Sequence, residues 1–298
     1  MQRGSIANTV LNFPMLSICI PTFNRSEFLR FTLDKLKEGF PDAELILSDN
    51  ASTDATRFYR HEVDIYVRQA ENIGAFPNMR EALLSATGEY AVFCADDDYL
   101  IPGEVQAGIA FLDAHPAVAA YFAPCELWDE VNGGPEWNAF YVANDETFTD
   151  PGKLWNFLIH NHVWPEHAIY RTSALKEIIQ PRIRAYWCFI DLAHAMAKGA
   201  VHFASKPYYR NITNHPIGWR TKLGDRQCLT DFDEYRAGLE NLACDLFKNH
   251  LTDELKQKLR VMINHFINKR LGVAHRLLTL QGEQAEAISI EKRLRICA

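Results

Sequence analysis

The first 115 residues of the chain alternate between short apolar runs and longer segments with helical spacing. Four apolar runs predict strands, at residues 15–23, 44–47, 64–68 and 90–94. Helices are predicted at 27–38, from about 52, and at 76–86, with Ser26 as an N-cap and Gly88 as a C′ residue. Strands and helices that alternate at this spacing predict an α/β fold, in which a mostly parallel sheet is flanked by helices.

Polar residues follow each predicted strand. These residues are Thr22, Asp49, Asn72 and the run Asp96–Asp98. Parallel sheets bind ligands outside the carboxyl ends of their strands, so we expect these side chains to converge on one edge of the sheet. The edge is therefore the predicted binding site.

The run Asp96, Asp97 and Asp98 places three carboxylates directly after the strand at 90–94. Like charges at this spacing repel, so a fold that keeps them ionised favours a hard divalent cation, Mn²⁺ or Mg²⁺, as a cofactor. The alternative is that the aspartates serve the N-terminus of the helix that opens at Pro102.

The second half is less regular. A helix is predicted to start at Thr149-Asp150-Pro151, and Trp164 lies in a histidine-rich segment, where it could stack on a sugar or belong to the core. Asp191 is the one acid of an apolar helical run that ends at Gly199. Burial would raise its pKa and make it a better proton acceptor, whereas the alternative is that it only caps the helix.

The last 70 residues have helical spacing throughout and predict an extension of two or three helices. Its basic residues favour a solvated face or a homo-oligomer contact, with peripheral contact to an anionic membrane as the alternative. They are Lys269, Arg270, Arg276, Lys292, Arg293 and Arg295. The predicted division is a domain at 1–225, with halves at 15–115 and 116–225, and a helical extension at 226–298.

Composition narrows the function. The formal net charge of −7 argues against a broad nucleic-acid-binding face. The seven cysteines show no CxxC pair, which is typical of a reducing compartment. Neither a membrane-spanning run nor a secretory signal is present, so a cytoplasmic location is expected. Neither glycine-rich phosphate signature occurs, which disfavours a nucleotide-dependent dehydrogenase and a P-loop NTPase.

Four ordered motifs resemble the family 2 glycosyltransferases of the GT-A fold, closely over about 15–115 and more loosely to about 220. The motifs are PTFNR at 21–25, SDNASTDAT at 48–56, ENIG at 71–74 and CADDDYLIP at 94–102. The resemblance implies contacts to a nucleotide sugar at Pro21, Thr22, Asn24, Asp49, Asn72, Asp96 and Asp97, with Asp49 on the base. It implies metal ligands at Asp96 and Asp98. Ala95 stands where many members have aspartate. The assignment of the two metal-side residues among Asp96, Asp97 and Asp98 is therefore open by one position.

The same resemblance implies that Asp191 is the general base, although Ile190 replaces the glutamate that often precedes it. It implies an acceptor segment with Trp164 and Glu166, and a diphosphate contact from His215, Arg220 or Lys222. The expected function is inverting transfer from a nucleoside-diphosphate sugar, with UDP favoured, to a saccharide or a lipid-linked saccharide in bacterial envelope synthesis. The alternatives are a nucleotidyltransferase, which would need a glycine-rich activating loop, and a non-catalytic sugar-nucleotide-binding protein.

Overall fold

A computed structural model describes residues 16–138, 140–179, 185–218, 232–280 and 282–297. In chain order the strands are β1 (Leu16–Thr22), β2 (Glu44–Asp49), β3 (Ile65–Arg68), β4 (Tyr90–Phe93), β5 (Tyr99–Leu100), β6 (Val118–Phe122), β7 (Cys125–Asp129), β8 (Gly134–Asn138), β9 (Glu146–Phe148), β10 (Ala168–Arg171), β11 (Ala200–Phe203) and β12 (Tyr209–Asn214). The helices are α1 (Ser26–Gly39), α2 (Ala75–Leu84), α3 (Pro102–Ala114), α4 (Pro151–Asn161), α5 (Thr172–Ile178), α6 (Trp187–Lys198), α7 (Phe232–Phe247), α8 (Asp253–Leu280) and α9 (Gln284–Cys297), with a 3-10 helix at Ala55–His61.

The main sheet has the strand order β3-β2-β1-β4-β10-β6-β11-β9. Strands β3, β2, β1 and β4 are parallel, and β6 and β11 run in the same direction. Only β10 and the edge strand β9 are antiparallel to their neighbours among these eight. The predicted mostly parallel α/β sheet is confirmed, and the carboxyl ends of β1, β2 and β4 meet at one edge.

A second, smaller sheet of order β5-β12-β7-β8 lies beside that edge. The sequence did not predict it, because β5 is two residues long and β12 gains its partners from segments about 80 to 110 residues away. Tyr209 in β12 is paired with Leu100 and with Cys125, so this sheet is joined to the chain directly after the aspartate run.

Two apolar clusters cover the two faces of the main sheet. One packs α1 and α3 against β1, β2 and β4 through residues such as Ile18, Leu33 and Ile109. The other is continuous from Cys19 in β1 to Ile290 in α9. The predicted extension of two or three helices is therefore present as α7, α8 and α9 and shares a core with the sheet, while the predicted boundary at 225/226 lies outside the described residues.

Several predicted ends are confirmed and others are wrong. Helix α4 begins at Pro151, with the Asp150 carboxylate bonded to the Lys153 amide, and α6 ends at Gly199 as expected. Ser26 is not an N-cap. It is the first residue of α1, and its amide donates to the Asp54 carboxylate at 2.8 Å. The helix expected from about residue 52 is the shorter 3-10 helix.

Gly88 is also not a helix end, because α2 already stops at Leu84. Its amide instead donates to Ser17 Oγ at 2.9 Å, at the start of β1. The sequence pattern placed the glycine correctly after the helix but could not show that its partner lies 71 residues away.

Candidate active site

The ends of β1 and β4 are joined at the site edge by a hydrogen bond between side chains. Thr22 is the last residue of β1, and its hydroxyl donates to Asp96 Oδ2 at 2.7 Å. Pro21, which is half-buried, lies opposite Ser48 of β2 in the parallel register. Residues from three neighbouring strands therefore converge as the sequence predicted.

Asp96 and Asp97 share a cation within the protein, the guanidinium of Arg25. Nη1 of Arg25 lies 3.3 Å from Asp96 Oδ1, and Nη2 is paired with Asp97 Oδ2. Burial raises the pKa of Asp96 to about 7, an effect that Arg25 opposes and that the neighbouring Asp97 carboxylate reinforces. The first two aspartates of the run therefore share one guanidinium as their neighbouring positive charge.

Asp98 has different surroundings from its two neighbours. Oδ1 accepts the Ile212 amide at 2.8 Å, and Oδ2 accepts the Tyr209 hydroxyl at 2.8 Å and the Asn211 amide group at 3.2 Å. Its backbone carbonyl accepts the Thr32 hydroxyl at 2.9 Å. Burial raises its pKa well above the ordinary value, and Asp97 adds to that effect. Both carboxylate oxygens thus attach β12 to the end of β4.

Asp49 is fully buried at the end of β2. Its Oδ1 accepts the Ser52 amide at 2.7 Å, while Oδ2 accepts the Tyr66 hydroxyl at 2.6 Å and pairs with Arg68. Tyr66 and Arg68 are alternate residues of β3, so both side chains reach Asp49 from the neighbouring strand. Each carboxylate oxygen can accept two hydrogen bonds, and Oδ1 retains capacity for one more.

The loops beside Asp49 are fixed by two asparagines of the predicted site. Asn24 has a left-handed backbone with φ of +53°, and its Oδ1 accepts the Thr53 amide at 2.7 Å. Asn72 Oδ1 accepts the amide of Gly74 at 2.9 Å and the side chain of Asn50 at 2.8 Å. Asn24 and Asn72 thus fix the two loops that lie beside Asp49.

His215 follows β12 and is fully buried. Its ring meets those of Phe28 and Phe31 edge-on, with centroid distances of 4.9 and 4.5 Å, and its buried Nε2 has no hydrogen-bond partner among the described residues. Burial lowers its pKa, an effect that the Asp97 carboxylate opposes and the Arg25 guanidinium reinforces. A neutral imidazole with an unsatisfied nitrogen therefore lies beside the aspartate run. Arg220 and Lys222, the other predicted diphosphate contacts, lie outside the described residues.

Asp191 is the fifth residue of α6 and does not cap that helix. The N-cap position is Tyr186, and no side chain caps there. Asp191 is only 4% exposed, and no donor contacts its carboxylate within the described part of the chain. Burial alone raises its pKa well above the ordinary value. The expected surroundings of a general base are thus present, and the capping alternative is excluded.

The acceptor segment predicted around Trp164 and Glu166 packs against the start of α6. The Tyr186 hydroxyl donates to Glu166 Oε1. Burial raises the pKa of Glu166, although Tyr186 and Arg270 partly offset it. Burial raises the pKa of the Cys188 thiol well above its ordinary value, and the Glu166 and Asp191 carboxylates add to that effect.

Trp164 is half-buried in an aromatic group formed with the C-terminal helices. Its ring centroid lies 4.9 Å from that of Tyr235 in α7 and 5.2 Å from that of Phe266 in α8, and the Arg270 guanidinium lies 5.8 Å from it. The ring centroid of Tyr186 lies 5.7 Å from that of Trp164. These contacts are those of a core tryptophan, which the sequence left open beside sugar stacking.

The start of α2 contacts the start of α6. The centroid of the Phe76 ring lies 6.2 Å from those of both Tyr186 and Trp187. Phe76 is 38% exposed, although it is a large apolar side chain. A partly exposed aromatic contact therefore joins α2 to the start of α6.

A divalent cation would not be held by protein ligands alone. No group of three or more His, Cys, Asp or Glu side chains in the described ranges is arranged to bind a metal ion. Asp96 and Asp97 have neighbouring carboxylates that share the Arg25 guanidinium, and carboxylate oxygens are the ligands that Mn²⁺ and Mg²⁺ prefer. This pair fits a cation whose other ligands come from a bound diphosphate.

Sequence reasoning missed the partners of the predicted residues. Arg25 is part of the PTFNR motif, but the sequence pattern predicts no contact between Arg25 and the aspartates. It also predicts no role for Tyr66, Arg68 or Tyr209. The signal for Arg25 was available, because β1 and β4 were both predicted and their polar ends were expected to meet. Arg68 ends a predicted strand, yet its contact with Asp49 depends on the β2–β3 register.

The mostly parallel sheet, with a carboxylate run at the carboxyl ends of its strands, agrees with the GT-A fold that the four sequence motifs led us to expect. The sequence profile of glycosyl transferase family 2 matches residues 17–179. This match covers more than half of the chain, and the chain therefore belongs to glycosyl transferase family 2.

The fold is also that of Staphylococcus aureus TarS. Its residues 1–349, solved with UDP-GlcNAc, superpose with a TM-score of 0.61 at 19% identity, covering 93% of this chain and 79% of that one. The mannosyltransferase PcManGT of Pyrobaculum calidifontis, solved with GDP-Man and Mn²⁺, gives a TM-score of 0.54 at 14% identity, over 95% and 88% of the two chains.

Sequence relatives are found in several bacteria. An uncharacterized protein of Mycobacterium tuberculosis is 33% identical over 61% of this chain and 54% of its own length. The abequosyltransferase RfbV of Salmonella typhimurium is 34% identical over 34% of this chain and 33% of its own length. The chain thus spans about half or less of the curated relatives that it matches.

Proposed function

We propose that this chain transfers a sugar from a nucleoside-diphosphate sugar to a hydroxyl group of a saccharide or lipid-linked saccharide, with inversion and with a divalent cation. The observation that carries the proposal is the Asp191 carboxylate, which is buried and accepts no hydrogen bond among the described residues, on the helix whose first residue, Trp187, lies against Phe76 of α2. Family membership supports sugar transfer over the nucleotidyltransferase alternative.

The donor would lie along the edge formed by β1, β2 and β4. Asp49 would read the base through the remaining capacity of Oδ1, with Pro21, Thr22, Asn24 and Asn72 around it. UDP is the favoured nucleotide, because TarS was solved with UDP-GlcNAc on the same fold. The mannosyltransferase was solved with GDP-Man, so the fold by itself does not fix the base.

Asp96 and Asp97 would hold the cation, with His215 toward the diphosphate. When bound, the cation stabilises the negative charge that develops on the leaving diphosphate. Asp98 was predicted as a metal ligand, and that assignment stays a prediction. Its two oxygens already accept three protein hydrogen bonds, so Asp97 is the carboxylate that we propose in its place.

Asp191 would take the proton of the acceptor hydroxyl as its oxygen attacks the anomeric carbon. The new carbon–oxygen bond forms while the bond to the diphosphate breaks, and the nucleoside diphosphate leaves from the opposite face. A single displacement of this kind inverts the anomeric carbon. Burial suits Asp191 to this step because a raised pKa strengthens the base.

Acceptor binding would involve Glu166, whose carboxylate is oriented by Tyr186 beside Cys188 and Asp191. Trp164 is the weaker acceptor candidate, because four aromatic rings already surround it. Bacterial envelope glycans are the proposed setting. A matched relative from Campylobacter jejuni, 29% identical over 44% of this chain and 45% of its own length, is a glucosyltransferase acting on an undecaprenol-linked glycan.

The exposed face of α8 supports contact with an anionic membrane surface. No acidic residue occurs between Leu255 and Leu280, although the whole chain has a net charge of −7. Lys269 and Arg276 lie on one exposed stripe with Val261, at helical spacing. Each such cation contributes about 1 kcal/mol of attraction near an anionic surface. No helix in the described ranges is long and apolar enough to cross a bilayer.

The test is a thermal-melting panel of nucleoside-diphosphate sugars with and without Mn²⁺, followed by transfer assays with the best donor. A native-state ligand raises the melting temperature, so the true donor should do so in a cation-dependent manner. Release of free nucleoside diphosphate with acceptor glycosylation supports transfer. Release of pyrophosphate, or binding of the donor without any turnover, would contradict the proposed reaction.

A further inference from the structure

The guanidinium of Arg25 bridges two carboxylates that the proposed function gives to a divalent cation. Its two terminal nitrogens reach different residues, Nη1 to Asp96 at 3.3 Å and Nη2 to Asp97. The Phe28 ring supports the guanidinium from α1, with its centroid 4.7 Å from Cζ. The bridge is therefore held by three side chains.

A metal ion and this guanidinium cannot use the same oxygens together. Mn²⁺ and Mg²⁺ bind carboxylates through direct, short contacts to the oxygen lone pairs. Asp97 Oδ2 already accepts a hydrogen bond from Arg25 with one of these lone pairs. A doubly charged ion and a guanidinium at one carboxylate pair also repel each other, most strongly where water is excluded. Asp96 and Asp97 are 4% and 9% exposed, so water screens this repulsion poorly.

We propose that Arg25 is the internal counter-ion of the donor site. It neutralises Asp96 and Asp97 while no donor is bound, hinders the cation from binding alone, and releases both carboxylates when a nucleoside diphosphate arrives with the cation. The diphosphate is the new partner of the released guanidinium, since arginine binds phosphate oxygens through paired hydrogen bonds. This inference rests on the proposed function, because it concerns the same site.

The position of Arg25 makes this exchange physically accessible. Its side chain is 34% exposed, so the guanidinium borders solvent and is not enclosed in the core. Arg25 follows the end of β1, where the proposed donor-binding edge begins, and it is the N-cap residue of α1. A rotation of the side chain therefore moves the charge away from the two carboxylates without moving a strand.

The consequence is a measurable coupling between cation and nucleotide. If the diphosphate must relieve the conflict between Arg25 and the metal, then Mn²⁺ and UDP strengthen each other's binding, and by linkage they do so by the same factor. Without Arg25 the two aspartates would attract Mn²⁺ even in the absence of nucleotide. The coupling would then shrink because nothing remains to be displaced.

The experiment measures Mn²⁺ binding from the loss of the free-ion electron paramagnetic resonance signal, with and without UDP. In the parent protein, we expect UDP to tighten Mn²⁺ binding by about tenfold or more. In Arg25→Met, we expect Mn²⁺ alone to bind about tenfold more tightly than it binds the parent, with little further gain from UDP. Activity is not needed for this measurement.

The matched control is Arg30→Met on the same helix. Arg30 pairs with Asp34 and Glu62, away from the aspartate run, so its loss should leave Mn²⁺ binding at the parental level. If Arg25→Met does not fold, Arg25→Lys decides the matter. Lysine keeps one charge but cannot bridge both carboxylates, so nucleotide-free Mn²⁺ binding should be tighter than in the parent.

Two failures are distinguishable. The first concerns Arg25→Met, or Arg25→Lys if only that variant folds. If this variant binds Mn²⁺ without nucleotide no more tightly than the parent does, and the parent still gains Mn²⁺ affinity from UDP, the counter-ion role is wrong. The proposed donor site then survives. A parent protein that binds neither UDP nor any other nucleoside diphosphate, at any Mn²⁺ concentration, overturns the proposed function itself.

Discussion

Replacement of Asp191 by asparagine removes the proposed proton acceptor and keeps nearly the same shape. The carboxylate is buried and receives no donor among the described residues, so the change breaks no described hydrogen bond. A positioned base contributes about 10²–10⁴ to the rate. Turnover should therefore fall by that factor, which corresponds to roughly 3–5 kcal/mol of transition-state stabilisation. UDP and Mn²⁺ binding should stay parental.

The same variant should also change how stability depends on pH. Burial raises the pKa of Asp191 in the folded protein, so between the unfolded and the folded pKa only the folded state holds the proton. The parent must then lose stability as pH rises through that interval, by about 1.4 kcal/mol per pH unit from this group. Asparagine cannot ionise, so the variant should gain melting temperature relative to the parent as pH rises from about 4.

The assay is initial-rate transfer together with melting curves across pH, for the parent, Asp191→Asn and a control at Asp150. Asp150 is a true helix cap, bonded to the Lys153 amide at 2.8 Å. Asp150→Asn should leave transfer unchanged, and Asp150→Ala should cost about 1 kcal/mol of stability. Parental turnover in Asp191→Asn, with saturating donor and acceptor, would refute the assignment of Asp191 as the base.

Three further outcomes are expected. Asp97→Asn should abolish cation-dependent UDP binding with little change in melting temperature. Asp98→Ala should lower the free energy of unfolding by about 2–4 kcal/mol because three hydrogen bonds to β12 are lost. If Asp98→Ala instead loses UDP binding and keeps the parental melting temperature, the result supports Asp98 as the metal ligand. Asp49→Ala should weaken UDP binding by about 1.5–3 kcal/mol in calorimetry, and parental affinity would refute its contact to the base. Charge reversal at Lys269 and Arg276 should reduce co-sedimentation with phosphatidylglycerol vesicles and leave transfer to a soluble acceptor unchanged. If the only change is in the oligomer mass measured by sedimentation velocity, this face is a dimer contact.

Residues 15–115 could be predicted from sequence because their signals are local. Each of β1 to β4 is a short apolar run that ends in, or is closely followed by, a polar residue, and each intervening segment has its own helical or turn pattern. Parallel crossover geometry then places Thr22, Asp49 and Asp96 at one edge without further information. The observed Thr22–Asp96 hydrogen bond is the direct consequence of that topology.

The acceptor half could not be predicted in this way, because its pairings are distant in sequence. Strand β10 enters the main sheet antiparallel between β4 and β6, which no local pattern in residues 168–171 indicates. The small sheet depends on β12, whose partners lie about 80 to 110 residues earlier. That sheet decides the surroundings of Asp98, and therefore the sequence could not tell which of the three aspartates faces the cleft.

The side chains that neutralise the predicted carboxylates also could not be predicted from the sequence. The pattern showed that three carboxylates need a positive neighbour, and a metal ion was the simplest choice. The structure adds Arg25 as a neighbour from the adjacent strand end, which lies 72 residues from Asp97. Such a pairing follows from strand order, so only the fold could reveal it.

The close approach of α7 to the start of α6 limits how this enzyme can be recombined with its relatives. A Cβ on Gly238 would lie 2.8 Å from the Tyr186 carbonyl oxygen, and the Tyr186 amide donates to the Glu234 carbonyl at 2.8 Å. Any bulkier residue at position 238 would push on the turn that leads to Asp191. A chimera intended to change acceptor choice should therefore exchange α6 and α7 to α9 as one unit, since a crossover between residues 199 and 232 would separate the helix that carries the proposed general base from the glycine that accommodates it.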